Sequence, residues 1–140
     1  MDKVLKANGQ CLCGAVRFVA HSASQSVGAC HCNTCRKWTG GPLMAVECGT
    51  DVEFSGQDSI GIYASSDWAE RGFCKKCGTG LFYKLKQPGL YIMPAGILDI
   101  ESQLNFDNQV FIDEKPGYYC FSNQTKNLTG AELFAQFGAE

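Results

Sequence analysis

Seven of the nine cysteines stand in three short clusters: Cys11-Leu12-Cys13-Gly14, Cys30-His31-Cys32-Asn33-Thr34-Cys35-Arg36, and Cys74-Lys75-Lys76-Cys77-Gly78. Thiolates at such spacings are soft ligands for a tetrahedral zinc ion. The outer clusters supply a pair each, so Cys11, Cys13, Cys74 and Cys77 make the four ligands of a structural zinc. The middle cluster supplies three, Cys30, Cys32 and Cys35. Three protein ligands leave a tetrahedral ion one position for water or a substrate, which is the arithmetic of a catalytic zinc. The expectation is therefore two zinc ions per chain, one structural and one catalytic.

Each outer pair ends on glycine, which lets backbone amides turn toward the sulfurs. The pairs lie far apart in the chain, so an ion shared between them would contribute directly to folding. A lone CxxC also fits a redox dithiol, but no βαβ pattern surrounds Cys74. In the middle cluster a coordinated thiol would be ionised at neutral pH, ready as a nucleophile. Arg36 and Lys37 follow at once, placed to offset thiolate charge or to receive an anionic ligand. A fourth protein ligand would close the site, and His31, Cys48 and Cys120 are the candidates. Lying between two ligands on extended chain, His31 should point away from an ion they share, toward proton transfer or substrate. His21 reads as a surface residue, and Cys48 and Cys120 as small buried hydrophobes. Trp38 and Trp68 could wall a pocket, although core is the plainer reading.

The elements that must hold these residues are short. Val16, Phe18 and Ala20 alternate with Arg17 and His21 along Ala15 to His21. Similar β-rich runs span Leu43 to Cys48, Asp51 to Phe54, Ile60 to Ala64, Gly80 to Leu85, Leu90 to Pro94 and Gln109 to Asp113. Short strands punctuated by 16 glycines predict an all-β, mainly antiparallel fold. Asn33 is placed to cap a single helical turn through Cys35 to Trp38. Thr129-Gly130-Ala131-Glu132 has the spacing of a capping box, with Leu133, Phe134 and Phe137 as the apolar face of a short C-terminal helix.

At 140 residues, 45% of them hydrophobic, the chain has the length of one zinc domain spanning 1–140. Its core is expected over about 8–121, with an extension over 122–140. A formal charge of −2, made more negative by ionised thiolates, argues against nucleic acid and anionic membranes as partners. No signal-like or spanning apolar stretch is evident, and clustered thiols suit a reducing compartment, so a cytoplasmic location is expected. Sequons at Asn123 and Asn127 are then chance tripeptides.

The ordered set of motifs resembles the glutathione-dependent formaldehyde-activating enzyme / centromere protein V domain family. The matching segments are Gly9 to Val16, Cys30 to Arg36, Tyr63-Ala64-Ser65-Ser66, Arg71 to Thr79, and Val110 to Tyr118. The resemblance implies a β-tent, stapled by a structural zinc on Cys11, Cys13, Cys74 and Cys77, with a catalytic zinc on Cys30, Cys32 and Cys35. It also implies carbon–sulfur lyase chemistry like that of S-(hydroxymethyl)glutathione synthase, which joins formaldehyde to glutathione. Gln109 and Tyr118 stand where the family pattern has histidine and tryptophan, and both departures bear on the substrate. The leading expectation is a zinc enzyme acting on the adduct of a small thiol such as glutathione, with Cys30, Cys32, Cys35 and His31 at the chemistry. Glutathione carries two carboxylates, so some of Arg36, Lys37, Arg71, Lys75 and Lys76 should then face the site. A zinc-stapled interaction module without catalysis is the second possibility, and a thiol redox protein using Cys30 to Cys35 the third.

Overall fold

A computed structural model of the chain describes residues 4–136. The first half runs β1 (Val4–Gln10), β2 (Arg17–Ser24), β3 (Ser26–Cys30), helix α1 (Asn33–Thr39), β4 (Leu43–Glu47) and β5 (Val52–Ser55). It continues through β6 (Ile60–Tyr63), β7 (Ala69–Cys74), β8 (Gly80–Leu85), β9 (Leu90–Pro94), β10 (Asn105–Val110), β11 (Lys126–Leu128) and helix α2 (Gly130–Gln136). Strands β1, β2 and β5 form a small antiparallel sheet in the order β1-β2-β5. The other eight form an open sheet in the order β11-β10-β3-β4-β9-β8-β7-β6. Its pairings are antiparallel except β10 with β3 and β10 with β11. The fold is the expected one, mostly β with a short C-terminal helix. No helix among the described residues is long and apolar enough to cross a membrane.

Alternation along β2 buries Phe18 and Ala20 beside the buried Val16, as their spacing demands. They meet Val46 of β4, Leu81 and Phe82 of β8 and Met93 of β9 in a core shared by both sheets. Aromatic rings bridge the two layers. Phe54 of β5 lies 6.0 Å from Phe18, 5.4 Å from Phe82 and 5.6 Å from Tyr91, and Phe82 meets Tyr91 edge-on at 5.1 Å. A second tie runs from β1, where Asn8 N–H donates to Asp99 Oδ1 at 2.8 Å and Asp99 N–H to the Asn8 carbonyl at 2.9 Å.

Four elements differ from the sequence expectation. Gln109 to Asp113 is not a strand throughout: β10 ends at Val110, Phe111 takes a left-handed backbone (φ 54°), and Ile112–Glu114 forms a 3-10 turn. Strands β3 and β7 escape the alternation test, the first being short and glycine-containing, the second interrupted by Glu70, Arg71 and Gly72. The cap of α1 is Cys32 rather than Asn33, because the Cys32 sulfur accepts the Cys35 N–H at 3.3 Å. The C-terminal capping box forms as expected. Thr129 N–H donates to Glu132 Oε1 at 2.8 Å, and Glu132 N–H to Thr129 Oγ1 at 3.1 Å. Phe134 packs edge-on against Phe111, while Phe137 lies outside the described residues.

Phe82 is a buried ring of the inter-sheet bridge, in contact with both Phe54 and Tyr91. Phe82→Ala is expected to cost about 3–5 kcal/mol of stability, and Phe82→Leu much less. Urea unfolding of the purified variants measures both, and equal losses would show that ring packing is not what joins the sheets.

Candidate metal centres

Two turns bring the outer cysteines together. Cys11 follows the end of β1, and its N–H donates to the Val16 carbonyl at 3.0 Å, while Gly14 N–H returns to the Cys11 carbonyl at 3.1 Å. Cys74 ends β7 and repeats the pattern, with its N–H on the Thr79 carbonyl at 2.9 Å and Gly78 N–H on the Cys74 carbonyl at 2.8 Å. Gly14 (φ 80°) and Gly78 (φ 81°) adopt the left-handed backbone these turns require. The four sulfurs lie within 4.8 Å of one another. Cys11 Sγ is 3.7 Å from Cys13 Sγ, which is 3.8 Å from Cys74 Sγ. A tetrahedron with bonds of about 2.3 Å has edges of roughly 3.8 Å, so the donor set fits zinc in both chemistry and spacing.

Thr79 links the two turns. Its Oγ1 accepts the Leu12 N–H at 3.0 Å and lies 3.1 Å from Cys77 Sγ. That contact holds the exposed turn of Cys77 in place and pulls its thiol down to about 5. Sequence reasoning assigned Thr79 no role, and its position after the last cysteine of the cluster is the signal that was available.

The middle cluster is built across the end of β3. Cys30 is that strand's last residue, paired with Val110 of β10 on one side and Leu43 of β4 on the other. Cys32 caps α1, and Cys35 is buried in its first turn. The three sulfurs fall within 4.8 Å of one another, and among the described residues no other His, Cys, Asp or Glu joins them. Hydrogen bonds from Cys30 and Cys35 hold the Cys32 thiol far below its ordinary value, and the same contacts push Cys30 far above it. Three sulfurs this close cannot all ionise without a cation among them. Three thiolates converging on one point form a soft ligand set that also fits zinc.

None of the three candidates for a fourth ligand joins the cluster. His31 is fully buried. Its Nε2 meets Gln109 Oε1 at 2.7 Å and its Nδ1 meets Tyr119 Oη at 2.8 Å. Gln109 Nε2 donates onward to Thr125 Oγ1 at 2.9 Å, which donates to Asn127 Oδ1 at 2.7 Å. Gln109 must therefore offer its carbonyl to His31, so Nε2 carries the ring proton and Tyr119 donates to Nδ1. Burial, then the charges of Lys115 and Arg36, hold the imidazole below its usual range and keep it neutral. Cys48 is buried, its Sγ 3.5 Å from the Val46 carbonyl, and burial pushes its thiol up to about 12. Cys120 is exposed, contrary to the expectation of a buried hydrophobe, because the tail after Tyr119 runs over the surface.

The cations are distributed unevenly. Arg36 is half-buried, and its Nε donates to the His31 carbonyl at 2.9 Å; Lys37 beside it is exposed. Lys75 and Lys76 are exposed on the turn of the four-cysteine cluster. Arg71 is the cation that touches the three-cysteine cluster: it is buried, with Nη1 and Nη2 each 3.7 Å from Cys35 Sγ. Neither tryptophan belongs to the core: Trp38 lies over the Arg71 guanidinium and Trp68 is 58% exposed. A third group, His21, Asp51 and Glu53, lies on the small sheet, where the His21–Glu53 pair at 2.7 Å accounts for it as a surface contact. An open groove of about 580 Å³ beside β1, lined by Arg17, Phe18, Glu53 and Asp99 among others, includes none of the three cysteines.

Comparison with known proteins places this geometry in a lineage. The family model for the glutathione-dependent formaldehyde-activating enzyme matches residues 6–114. A Schizosaccharomyces pombe protein named as an uncharacterized lyase is 40% identical over 128 residues, covering 89% of this chain and 92% of that protein. A Halomonas elongata protein, provisionally named a glutathione-dependent formaldehyde-activating enzyme, is 32% identical over 83 residues, 53% of each chain. The crystal structure of a Rhodobacter sphaeroides protein shares the fold, with a TM-score of 0.51 at 22% identity over 66% of this chain and 88% of that one. The chain belongs to the glutathione-dependent formaldehyde-activating enzyme family.

Proposed function

We propose that this protein is a zinc-dependent lyase-type enzyme that makes and breaks a carbon–sulfur bond in the adduct of a small thiol, glutathione or a relative, with a carbonyl compound such as formaldehyde. Cys11, Cys13, Cys74 and Cys77 would hold a structural zinc, and Cys30, Cys32 and Cys35 a catalytic one. The observation that carries this reading is the difference in ligand count. Four sulfurs converge at one cluster and three at the other, with His31 and Cys48 engaged elsewhere and Cys120 exposed outside the cluster. The family match and the names of the two relatives support the chemistry.

A zinc ion on the three sulfurs would act as a Lewis acid with one exchangeable position, holding a substrate thiol ionised at neutral pH. In the forward direction the thiolate sulfur adds to the carbonyl carbon, the carbon–oxygen π bond opens, and the oxygen takes up a proton. The reverse reaction returns that proton and expels the thiolate. His31 serves as a positioning residue here. With no exposed surface and both ring nitrogens engaged, it braces Cys30 and Cys32 through Gln109 and Tyr119 rather than exchanging protons with substrate. In this reading water supplies the proton, and no His, Asp or Glu among the described residues joins the three sulfurs as a further ligand. Arg36 and Lys37 stand next to the cluster as receivers for a substrate carboxylate, whereas Lys75 and Lys76 lie on the other turn.

Metal analysis of the purified protein should return two zinc ions per chain with different lability. Cys74→Ser should leave insoluble or unfolded protein, because its site joins segments that are distant in the chain and lost metal is lost folding energy. Cys32→Ser should remain folded and carry one zinc. Equal loss of structure in the two variants would overturn the division of roles.

A small thiol should perturb the spectrum of the cobalt-substituted protein, and its S-methyl analogue should not. Turnover of the thiol–formaldehyde adduct should fall to the uncatalysed rate in Cys32→Ser. A thiol and its S-methyl analogue acting alike would point away from sulfur coordination and toward an interaction module.

A further inference from the structure

We propose that Arg71 is a built-in counter-ion of the three-cysteine cluster, a positioning residue that sets how firmly the cluster holds its metal and whether it accepts an anionic thiol. The proposal rests on the reading of Cys30, Cys32 and Cys35 as a zinc site. Arg71 stands on β7, directly opposite Tyr83 of β8 and Tyr63 of β6 in the sheet register. Its guanidinium lies over two rings, 4.9 Å from the Trp38 ring of α1 and 4.7 Å from the Tyr83 ring. Its edges are also occupied. Nη1 and Nη2 both reach Cys35 Sγ at 3.7 Å, and Nε donates to Ser65 Oγ at 3.3 Å.

This enclosure decides between two roles for the residue. A receptor for a substrate carboxylate needs a guanidinium edge open to solvent, and Arg71 is only 5% exposed. Of Arg36, Lys37, Arg71, Lys75 and Lys76, some of which are expected from the sequence to face the site for a carboxylate of glutathione, Arg71 instead takes a role toward the protein's own sulfur. Arginine suits the position because its weakly hydrated, planar cation tolerates stacking on rings while donating from both terminal nitrogens. Gly80 allows the seat: a Cβ there would lie 3.1 Å from the Trp38 ring, so a side chain would crowd the indole that covers Arg71.

Charge explains what the device does. Three thiolates around a divalent ion leave one negative charge in excess. A fourth, anionic sulfur would add another in a partly buried site, where Coulomb repulsion is screened far less than in water. The fixed positive charge of Arg71 cancels the first excess. The cluster can then take an anionic thiol without becoming doubly negative. Because the cation acts on Cys35 from outside the ligand set, its removal should weaken metal binding in the way that loss of other outer-sphere partners does.

The test is competition with a chromophoric zinc chelator on wild type and on Arg71→Lys, Arg71→Gln and Arg71→Met, with the four-cysteine site as internal reference. Arg71→Gln and Arg71→Met should lower the zinc affinity of the three-cysteine site by about 10–100-fold while the four-cysteine site is unchanged. Arg71→Lys should restore most of the loss, and the affinity of the cobalt form for a small thiol should fall in the same order. If Arg71→Met does not fold, the comparison of Lys with Gln carries the result. Unchanged affinity in Arg71→Gln, or equal weakening at both sites, would overturn the role of Arg71 and leave the zinc reading standing. Wild-type protein that binds a single zinc would overturn that reading and the Arg71 role together.

Discussion

The approach of Cys11 and Cys13 to Cys74 and Cys77 is the constraint on which the rest of the architecture depends. One pair leaves the small sheet at the end of β1, and the other lies between β7 and β8 of the large sheet. Two turns with matching backbone hydrogen bonds hold the pairs sulfur to sulfur, and Thr79 reaches across from one to the other. The small sheet is thereby fixed over the large one at the cluster as well as through the aromatic contacts of Phe54 and Phe82. A chain of this size has limited apolar surface to bury, and a metal held on these four sulfurs would cross-link distant segments and offset that limit.

The second cluster depends on a different kind of support. Cys30 and Cys32 flank His31, which lies on a chain of hydrogen bonds running through Gln109 to Thr125 and Asn127. Those residues belong to β10, β11 and the segment before β11, so the network crosses the parallel part of the sheet. Fully satisfied buried polar groups rigidify the element that carries them, and a single unsatisfied member would be costly. Gln109 has an added consequence. Its amide accepts from His31 and donates to Thr125, which fixes one imidazole tautomer and makes Tyr119 a donor.

Around the three sulfurs, positive charge and aromatic surface are combined. Arg71 donates to Cys35 Sγ while lying over the Trp38 and Tyr83 rings. With Arg71 turned inward, Arg36 and Lys37 on α1 are candidates to meet a charged substrate. In the proposed reaction this favours a thiol whose recognition rests on few carboxylate contacts.

The all-β class, the capping box of α2 and the grouping of the cysteines were legible in the sequence, because each is a matter of local spacing. Alternation is written in neighbouring residues, and a CxC or CxxC places two sulfurs within reach of one point wherever it folds. That Cys11 and Cys13 meet Cys74 and Cys77 was inferable from ligand arithmetic alone. Tertiary structure decided the rest. Arg71 and Tyr119 act on residues far away in the chain, and no local pattern signals such contacts. The strands β3 and β7 and the early end of β10 depend on pairing with neighbours rather than on alternation. Whether His31, Cys48 or Cys120 reaches the three sulfurs is a question of where each side chain finds its nearest partner, and only packing determines that.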